Sequence, residues 1–299
     1  MKFFLSIKTL LLFLLLIFPG SIKSDIQKSI NFQHFSELST DLDSLIKPII
    51  SNFHYPIGIA FLDLNSNEKY QFNEREIFPT ASAIKIEILI HLMKEHERGN
   101  LNLYENIQVK DRTGGSGLLQ YFDQSDLRLS FYNLALLMIQ QSDNAATNIL
   151  IDKLGMENIN KTIQQLGLKS TKLQRKMMDF EARKLGKENI SSPEDKLKLL
   201  EIIYKQQFLS DSLNNEVLKI LSIPKSTPLL NDIYEELTLA SKGGELDDVR
   251  CEMGIFFCKD FNYILVVMTK DLPQSKIGED MIGKISKTVF DYIREKYSK

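Results

Sequence analysis

Ser82 and Lys85, one helical turn apart, are the residues whose types and spacing best suit nucleophilic chemistry. They interrupt the otherwise apolar segment 81–93, a pattern typical of a buried helix. Backbone N–H groups at a helix start favour negative charge on a serine oxygen, and a buried lysine loses its proton more easily and can act as a base. Ser-x-x-Lys recurs elsewhere in the chain, beside prolines or in a hairpin turn. The spacing alone therefore also fits a solvated lysine near a helix start.

Two further short motifs carry polar groups that could assist this chemistry. Residues 142–144 are Ser-Asp-Asn and lie between two predicted helices, and residues 242–244 are Lys-Gly-Gly and follow a predicted strand. Serine, aspartate and asparagine are common in turns and at helix N-termini, and glycines are common where a strand ends in a turn. Each motif alone therefore also fits a purely structural role.

Taken together and in this order, the three motifs resemble those of the class A β-lactamase family, within the serine β-lactamases and penicillin-binding proteins. The flanking segments FPTASAIKIEILI (78–90) and LMIQQSDNAATNILI (137–151) are similar to that family as well. The resemblance covers nearly all of the chain after residue 24. It implies a serine hydrolase that is acylated on Ser82 by a β-lactam or a related amide.

The resemblance implies a catalytic role for four positions. Ser82 would be the acylated nucleophile, and Lys85 would be its base or proton relay. Ser142 would pass a proton to the leaving nitrogen of the substrate. The backbone N–H groups of Ser82 and Glu245 would form the oxyanion hole.

It also implies four substrate-binding positions. Asn144 would hold a side-chain amide of the substrate, while Lys242 would attract the substrate carboxylate and lower the pKa of Lys85. Gly244 belongs to the same strand end as Lys242, and Arg250 would assist in binding the carboxylate. The expected partner is therefore a β-lactam or a peptidoglycan-like small molecule that carries a carboxylate.

Two positions depart from the family pattern. The family has a threonine or serine where this chain has Gly243, so one hydrogen bond to the substrate carboxylate is lost, at a cost of about 0.5–1.5 kcal/mol. The family also has a deacylating glutamate two residues after the arginine that matches Arg175. This chain has Met177 there, and a methionine cannot activate water.

Asp179 and Glu181 are the carboxylates nearest to Met177 in the sequence. Either could replace the missing glutamate, but we favour structural roles, with Asp179 paired to Arg175 and Glu181 exposed. Segment 175–195 is most similar to β-lactamase-related serine hydrolases that lack the glutamate, so we expect acylation followed by slow hydrolysis. Two alternatives stay open: a penicillin-binding, DD-peptidase-like enzyme, and a β-lactam-binding or sensing module without turnover.

The hydrophobic pattern predicts strands near both chain ends and helices between them. Signals from residue 80 to about residue 221 are almost entirely helical, and Ser192 is a predicted helix start. The remaining predicted helices are 36–50 (ended by Pro48 and the turn-like residues 51 and 52), 127–141 and 282–293. The predicted strands are 57–64, 69–72, 238–241, 253–258 and 263–269.

These elements predict an α+β fold of the β-lactamase/transpeptidase-like kind. Strands from both chain ends form one antiparallel sheet with flanking helices, and the middle of the chain forms an all-helical lobe. The predicted α/β lobe contains residues 25–78 and 226–299, and the predicted helical lobe contains residues 79–225. A substrate cleft is expected between the two lobes, with residues 114–117 (Gly-Gly-Ser-Gly) as one wall.

Composition and the N-terminal segment limit the class of protein. The 299 residues are 43% hydrophobic and 25% charged with a net charge of −2, which argues against a disordered chain and a nucleic-acid-binding protein. Residues 1–24 contain a basic start, an apolar run and small residues, which predicts a signal peptide and a periplasmic or secreted protein. Contact with a membrane is expected only if this segment stays uncleaved.

Cys251 and Cys258, in one predicted strand, are too far apart for a disulfide. We also expect no metal or other cofactor.

Overall fold

A single antiparallel sheet built from both ends of the chain forms the centre of the fold. The computed structural model describes residues 42–123 and 125–298. In pairing order, the strands are β2 (Lys69–Phe72), β1 (Ile57–Asp63), β10 (Asn262–Thr269), β9 (Val249–Phe257) and β7 (Thr238–Ser241), and β8 (Gly244–Leu246) pairs with the start of β9. The prediction that strands from both chain ends share one sheet is confirmed.

Both faces of this sheet are covered, and all residues of β1 are buried. Ile59 and Phe61 pack on one face against α1 (residues 42–50) and the C-terminal helix α9 (Ser275–Tyr297). Ala60 and Leu62 point to the opposite face and join the larger core shared with the helical part of the chain. This alternation is the period of two expected of a strand buried on both sides.

The helical part begins with α2, whose residues from Lys85 to Met93 are all buried. Ser130, Asp143 and Ser192 start three of the helices by accepting a hydrogen bond from a backbone N–H three residues later. The helices are α2 (Lys85–Glu97), α3 (Phe131–Gln140), α4 (Asn144–Leu154), α5 (Met156–Gln165), α6 (Phe180–Lys184), α7 (Pro193–Tyr204) and α8 (Asp211–Ser222).

Two short ribbons interrupt the region predicted to be all helical. In the first, β3 (Phe78–Pro79) pairs with β6 (Ile190–Ser191). In the second, β4 (Asn106–Gln108) pairs with β5 (Arg128–Ser130). The helix predicted over 127–141 therefore starts later, because residues 128–130 pair with β4 and the Ser130 side chain caps α3.

The N-terminal predictions are tested only from residue 42 onward. Residues 42–50 form the described part of the predicted helix, which ends at residue 50 before a turn at residues 51 and 52, as predicted. The predicted signal peptide, residues 1–24, lies outside the described residues. Within residues 42–123 and 125–298, no helix combines the length and apolar character needed to cross a membrane.

Candidate active site

Ser82 lies in a 3₁₀ turn, Ala81–Ile84, which leads directly into α2. The sequence predicts one continuous helix here, but the first turn is tighter and Ala81 takes a left-handed conformation with φ 45°. Such a conformation is unfavourable for alanine and is typical of functional sites, where surrounding contacts enforce it. Within the described part of the chain, the Ser82 hydroxyl has no hydrogen-bond partner, and it faces a cleft of about 830 Å³.

Lys85 is completely buried at the start of α2. Its Nζ donates hydrogen bonds to the Ser142 carbonyl at 2.8 Å, to Ser142 Oγ at 3.1 Å and to Asn144 Oδ1 at 3.0 Å. Burial lowers the pKa of Lys85 well below its ordinary value, and the charge of Lys242 lowers it further, although Asp143 opposes the shift. The side chain is therefore suited to be a neutral amine that accepts a proton.

Ser142 lies between two lysines. Its hydroxyl accepts a hydrogen bond from Lys242 Nζ at 3.1 Å, and Lys242 also donates to the Gly243 carbonyl at 2.8 Å. Burial lowers the pKa of Lys242 to about 8, although the Glu252 carboxylate opposes this shift. Ser142 itself has φ 49°, another left-handed non-glycine residue. Lys85, Ser142 and Lys242 thus form a continuous path for a proton.

Asp143 holds the wall of the cleft to the start of α4. Its buried carboxylate accepts hydrogen bonds from the backbone N–H groups of Ala146, Leu118 and Leu119. Gly117, with φ 98°, lies so close that a Cβ there would overlap Asp143. Residues 115 and 116 line the cleft, as predicted.

Asn144 is held on both sides of its amide. Its Oδ1 accepts from Lys85, and its Nδ2 donates to the Gly114 carbonyl at 2.9 Å. The side chain that the sequence assigns to substrate binding therefore also positions the lysine base.

Gly244 permits β8 to approach the turn that carries Ser82. A Cβ at residue 244 would overlap the Thr80 carbonyl oxygen, which already receives a hydrogen bond from the Ala83 N–H. Glu245 follows directly and lines the cleft. The backbone N–H groups assigned to the oxyanion hole, those of Ser82 and Glu245, therefore belong to a turn and a strand that are in close contact.

Arg250 also reaches the cleft, but two carboxylates already bind its guanidinium. Nη1 donates to Glu245, and Nη2 donates to Glu252 Oε1 at 2.9 Å. Glu252 is 3% exposed and accepts a second hydrogen bond from Thr227 Oγ1 at 3.1 Å. The sequence interpretation missed Glu252, although a carboxylate two residues after Arg250 in an apolar strand was a visible signal.

The loop that carries Met177 is fixed to the helical part of the protein. The Met177 N–H donates to Asn148 Oδ1 at 2.8 Å, and Asn148 Nδ2 donates to the Met177 carbonyl at 3.2 Å. Met177 is buried and, with Met178, lines the cleft. The position expected to carry the deacylating carboxylate thus holds a thioether.

The expected pairing of Asp179 with Arg175 is wrong. Arg175 donates instead to both carboxylate oxygens of Glu188, at 2.8 and 3.0 Å, because the two ends of the loop lie side by side. Asp179 accepts from the Ala182 N–H and caps α6. Glu181 pairs with Lys184, and its side chain is 82% exposed, as expected.

Lys225 is a second cleft residue that the sequence interpretation missed. Its Nζ donates to the carbonyls of Leu221 at 2.6 Å and Ile223 at 3.1 Å. Burial, with the charge of Lys242, lowers its pKa to about 8. Among the described residues, no cluster of three or more His, Cys, Asp or Glu side chains is suited to hold a metal ion.

Comparisons with known proteins show which family this chain belongs to and which proteins it is similar to. Residues 41–293 match the model of a family described as the β-lactamase enzyme family. The chain is 26% identical over 185 residues to an imipenem-hydrolyzing β-lactamase of Enterobacter cloacae, and 29% identical over 182 residues to β-lactamase CARB-4 of Pseudomonas aeruginosa. These alignments cover 61% and 60% of this chain but only 63% and 59% of the relatives.

Among solved structures, PBP-A is similar with a TM-score of 0.79 and 26% identity, covering 86% of this chain and 97% of PBP-A. A mutant of PBP-A, solved as an acyl-enzyme complex with penicillin G, gives the same values. The TLA-3 extended-spectrum β-lactamase, at 22% identity and a TM-score of 0.79, shares the fold.

Proposed function

Because the chain belongs to the β-lactamase enzyme family, we propose that it is a serine hydrolase acylated on Ser82 by a β-lactam or a related amide. The observation that carries this proposal is the Lys85–Ser142–Lys242 network beside an unpaired serine at the start of a buried helix. The lowered pKa of Lys85 supports its role as the base.

In the proposed acylation step, Ser82 Oγ attacks the substrate carbonyl carbon and its proton passes to the neutral amine of Lys85. The negative oxygen of the tetrahedral intermediate is stabilised by the backbone N–H groups of Ser82 and Glu245. The bond between carbonyl carbon and nitrogen then breaks, and the Ser142 hydroxyl delivers a proton to the leaving nitrogen. Ser142 regains a proton from Lys85, since the two groups are hydrogen-bonded.

We propose further that deacylation is slow. Hydrolysis of the ester requires a base to remove a proton from water, and a thioether cannot do this. Met177 stands at the position of the family's glutamate and lines the cleft together with Met178. Asp179 and Glu181 are used in a helix cap and a surface ion pair.

A time course with a chromogenic cephalosporin, followed by intact mass, tests the proposal. We expect a burst near one equivalent and a lasting adduct on Ser82. Ser82→Ala should give no adduct, while Ser116→Ala, which removes another serine hydroxyl from the cleft, should react like the unmodified protein. An adduct on Ser82→Ala would overturn the assignment of the nucleophile. Steady turnover without an adduct would contradict slow deacylation.

A DD-peptidase-like activity is the second candidate function. It is favoured by the likeness to PBP-A, which extends over 97% of that chain, and by the absence of a carboxylate at Met177. Release of D-alanine from a peptide ending in D-Ala-D-Ala, lost in Ser82→Ala, would support it. A β-lactam-binding or sensing module without turnover would give a stable adduct and no release.

We also propose a periplasmic or secreted location, supported by the signal-peptide pattern of residues 1–24. Cell fractionation with N-terminal sequencing of the native protein tests this. Soluble protein that starts near residue 25 is the expected result. Protein that keeps residues 1–24 and stays in the membrane fraction would indicate an anchor.

A further inference from the structure

Glu252 lies where the family motif places a hydroxyl-bearing side chain. A Cβ built on Gly243 would overlap the Glu252 carboxyl group. The φ angle of Gly243 is outside the left-handed region, so its backbone conformation does not itself require glycine. A side chain at residue 243 would therefore require the end of the Glu252 side chain to move.

The hydrogen bonds of Glu252 favour its ionised form. Arg250 Nη2 donates to Oε1 at 2.9 Å, and Thr227 Oγ1 donates to Oε2 at 3.1 Å. Both carboxylate oxygens thus accept hydrogen bonds, one of them from a permanent cation. Burial raises the pKa of Glu252, while Arg250, Lys242, Thr227 and Lys225 oppose this shift.

Glu245 and Glu252 balance the charge of Arg250, one of the cations at this end of the cleft. Arg250 donates from Nη1 to Glu245 and from Nη2 to Glu252, so two of its five N–H groups are already bound to carboxylates. Glu252 also lines the same cleft as Lys242. A substrate carboxylate placed here would lie against another carboxylate, and close like charges oppose binding.

Resting on the proposed function, we infer that Glu252 is a specificity-determining residue that occupies the anion-binding end of the cleft. The site then prefers acyl donors whose group at this end is neutral, such as an internal amide or ester, over donors with a free carboxylate. Among peptides, the preferred substrate class is an amide within a longer chain, where the next group is another peptide carbonyl.

The test compares benzylpenicillin with its methyl ester, which differ only in the charge of this group. Binding is measured by calorimetry on Ser82→Ala protein, so that no covalent step enters the comparison. We expect the ester to bind at least as tightly as the acid. When Glu252→Gln is combined with Ser82→Ala, the ratio of the affinity for the acid to the affinity for the ester should rise by about tenfold or more. Asp247→Asn, which neutralises an exposed carboxylate of the same cleft, should move it much less.

Three outcomes would each overturn the inference. Glu252→Gln could leave the ratio unchanged, the protein with Glu252 intact could bind the acid tightly and not the ester, or neither compound could bind. The outcome is separate from the proposed function, which is judged by the adduct on Ser82 in protein that retains the serine. If no adduct forms but the binding ratio shifts as expected, the proposed function fails, while the charge preference assigned to Glu252 is supported as a property of binding alone.

A second measurement tests directly whether a side chain at residue 243 and the Glu252 carboxyl group would occupy the same volume, here called the shared volume. Gly243→Ser alone should lower the melting temperature, because the new side chain overlaps Glu252. Combined with Glu252→Ala, the same serine should be tolerated, and the double variant should bind the acid more tightly than either single variant. Equal loss of stability from Gly243→Ser with and without Glu252 would contradict the shared volume.

Discussion

At the residue scale, burial lowers the pKa of both lysines that contact the Ser142 hydroxyl. Burial and the charge of Lys242 lower the pKa of Lys85 well below its ordinary value, and this shift favours the neutral amine that a base requires. The pKa of Lys242 is lowered only to about 8, so this side chain stays mostly charged near neutral pH. Lys85 and the charged Lys242 therefore lie on two sides of the same Ser142 hydroxyl.

The pKa of Lys242 predicts a pH dependence of acylation. Lys242 loses its proton as the pH rises through about 8. The acylation rate should then fall on the alkaline side, because the positive charge beside Ser142 is lost. Lys242→Arg keeps the charge and should move this fall to higher pH. The measurement is the second-order rate of adduct formation between pH 6 and pH 10.

Lys225 also has a pKa lowered to about 8 and is the necessary control. Lys225→Met should leave the alkaline fall in place. If Lys225→Met abolishes the fall and Lys242→Arg does not move it, the charge that matters belongs to Lys225.

A carboxylate at residue 177 should speed deacylation. The backbone of Met177 is fixed to Asn148 by two hydrogen bonds, so a side chain there has a defined starting point. Met177→Glu should shorten the lifetime of the Ser82 adduct by about tenfold or more, since a positioned general base contributes up to 10²–10⁴-fold. Met177→Gln has the same size without a base. Equal lifetimes in the two variants would show that a base at this position is not sufficient.

At the element scale, the loop over residues 175–188 is closed by an ion pair between its ends. Arg175, 4% exposed, bonds both oxygens of Glu188, and Arg183 links Glu188 to Asp248 beside β8. These contacts hold the loop between the helical part and the sheet, and so hold Met177 and Met178 in the cleft wall.

Removing the Glu188 charge should therefore loosen this loop. Glu188→Gln leaves the buried Arg175 guanidinium without its counter-ion, which should lower the free energy of unfolding by about 2 kcal/mol or more. Urea unfolding measures this cost, and hydrogen exchange of residues 175–188 should rise. Glu181→Gln breaks an exposed ion pair of the same loop and should change neither quantity measurably. Similar effects of both substitutions would contradict the closing role of Glu188.

At the scale of the whole molecule, a polar cluster joins the end of the chain to its first hairpin. Lys296 near the end of α9 pairs with Asp63 at 2.6 Å and Glu68 at 2.9 Å, and the Tyr297 hydroxyl donates to Asp63 at 2.8 Å. Burial alone would raise the pKa of Asp63, but hydrogen bonds from Lys296, Ser66 and Tyr297 hold it below its ordinary value.

Lys296→Met should destabilise the protein by about 2–3 kcal/mol at pH 7, because two carboxylates lose their shared cation. A lowered pKa in the folded state means that the stabilisation is present above the ordinary pKa of an aspartate, 3.8, and is lost as the pH falls through the folded value. The difference in unfolding free energy from the unmodified protein should therefore shrink below about pH 4. A difference that is constant from pH 7 to pH 3 would contradict the role of the ion pair.

The sequence by itself determined the three motifs, the family they resemble and most elements of the sheet. These features are local: periodicity marks buried strands and helices, and capping residues such as Ser192 mark helix starts. The order of elements along the chain then limits the folds that can bury their apolar faces. The later start of α3 was missed because pairing of residues 128–130 with β4 is not local.

Tertiary structure alone decided which charges meet in the cleft. Glu252 reaches Gly243 because β9 turns back beside β8 and β7, and Arg175 finds Glu188 rather than Asp179 because the loop closes on itself. Neither partner can be read from spacing, since charged side chains respond to neighbours in space and to the removal of water. Arg250 is the clearest case: its identity suggested an anion site, and in the structure two carboxylates of the protein already bind it.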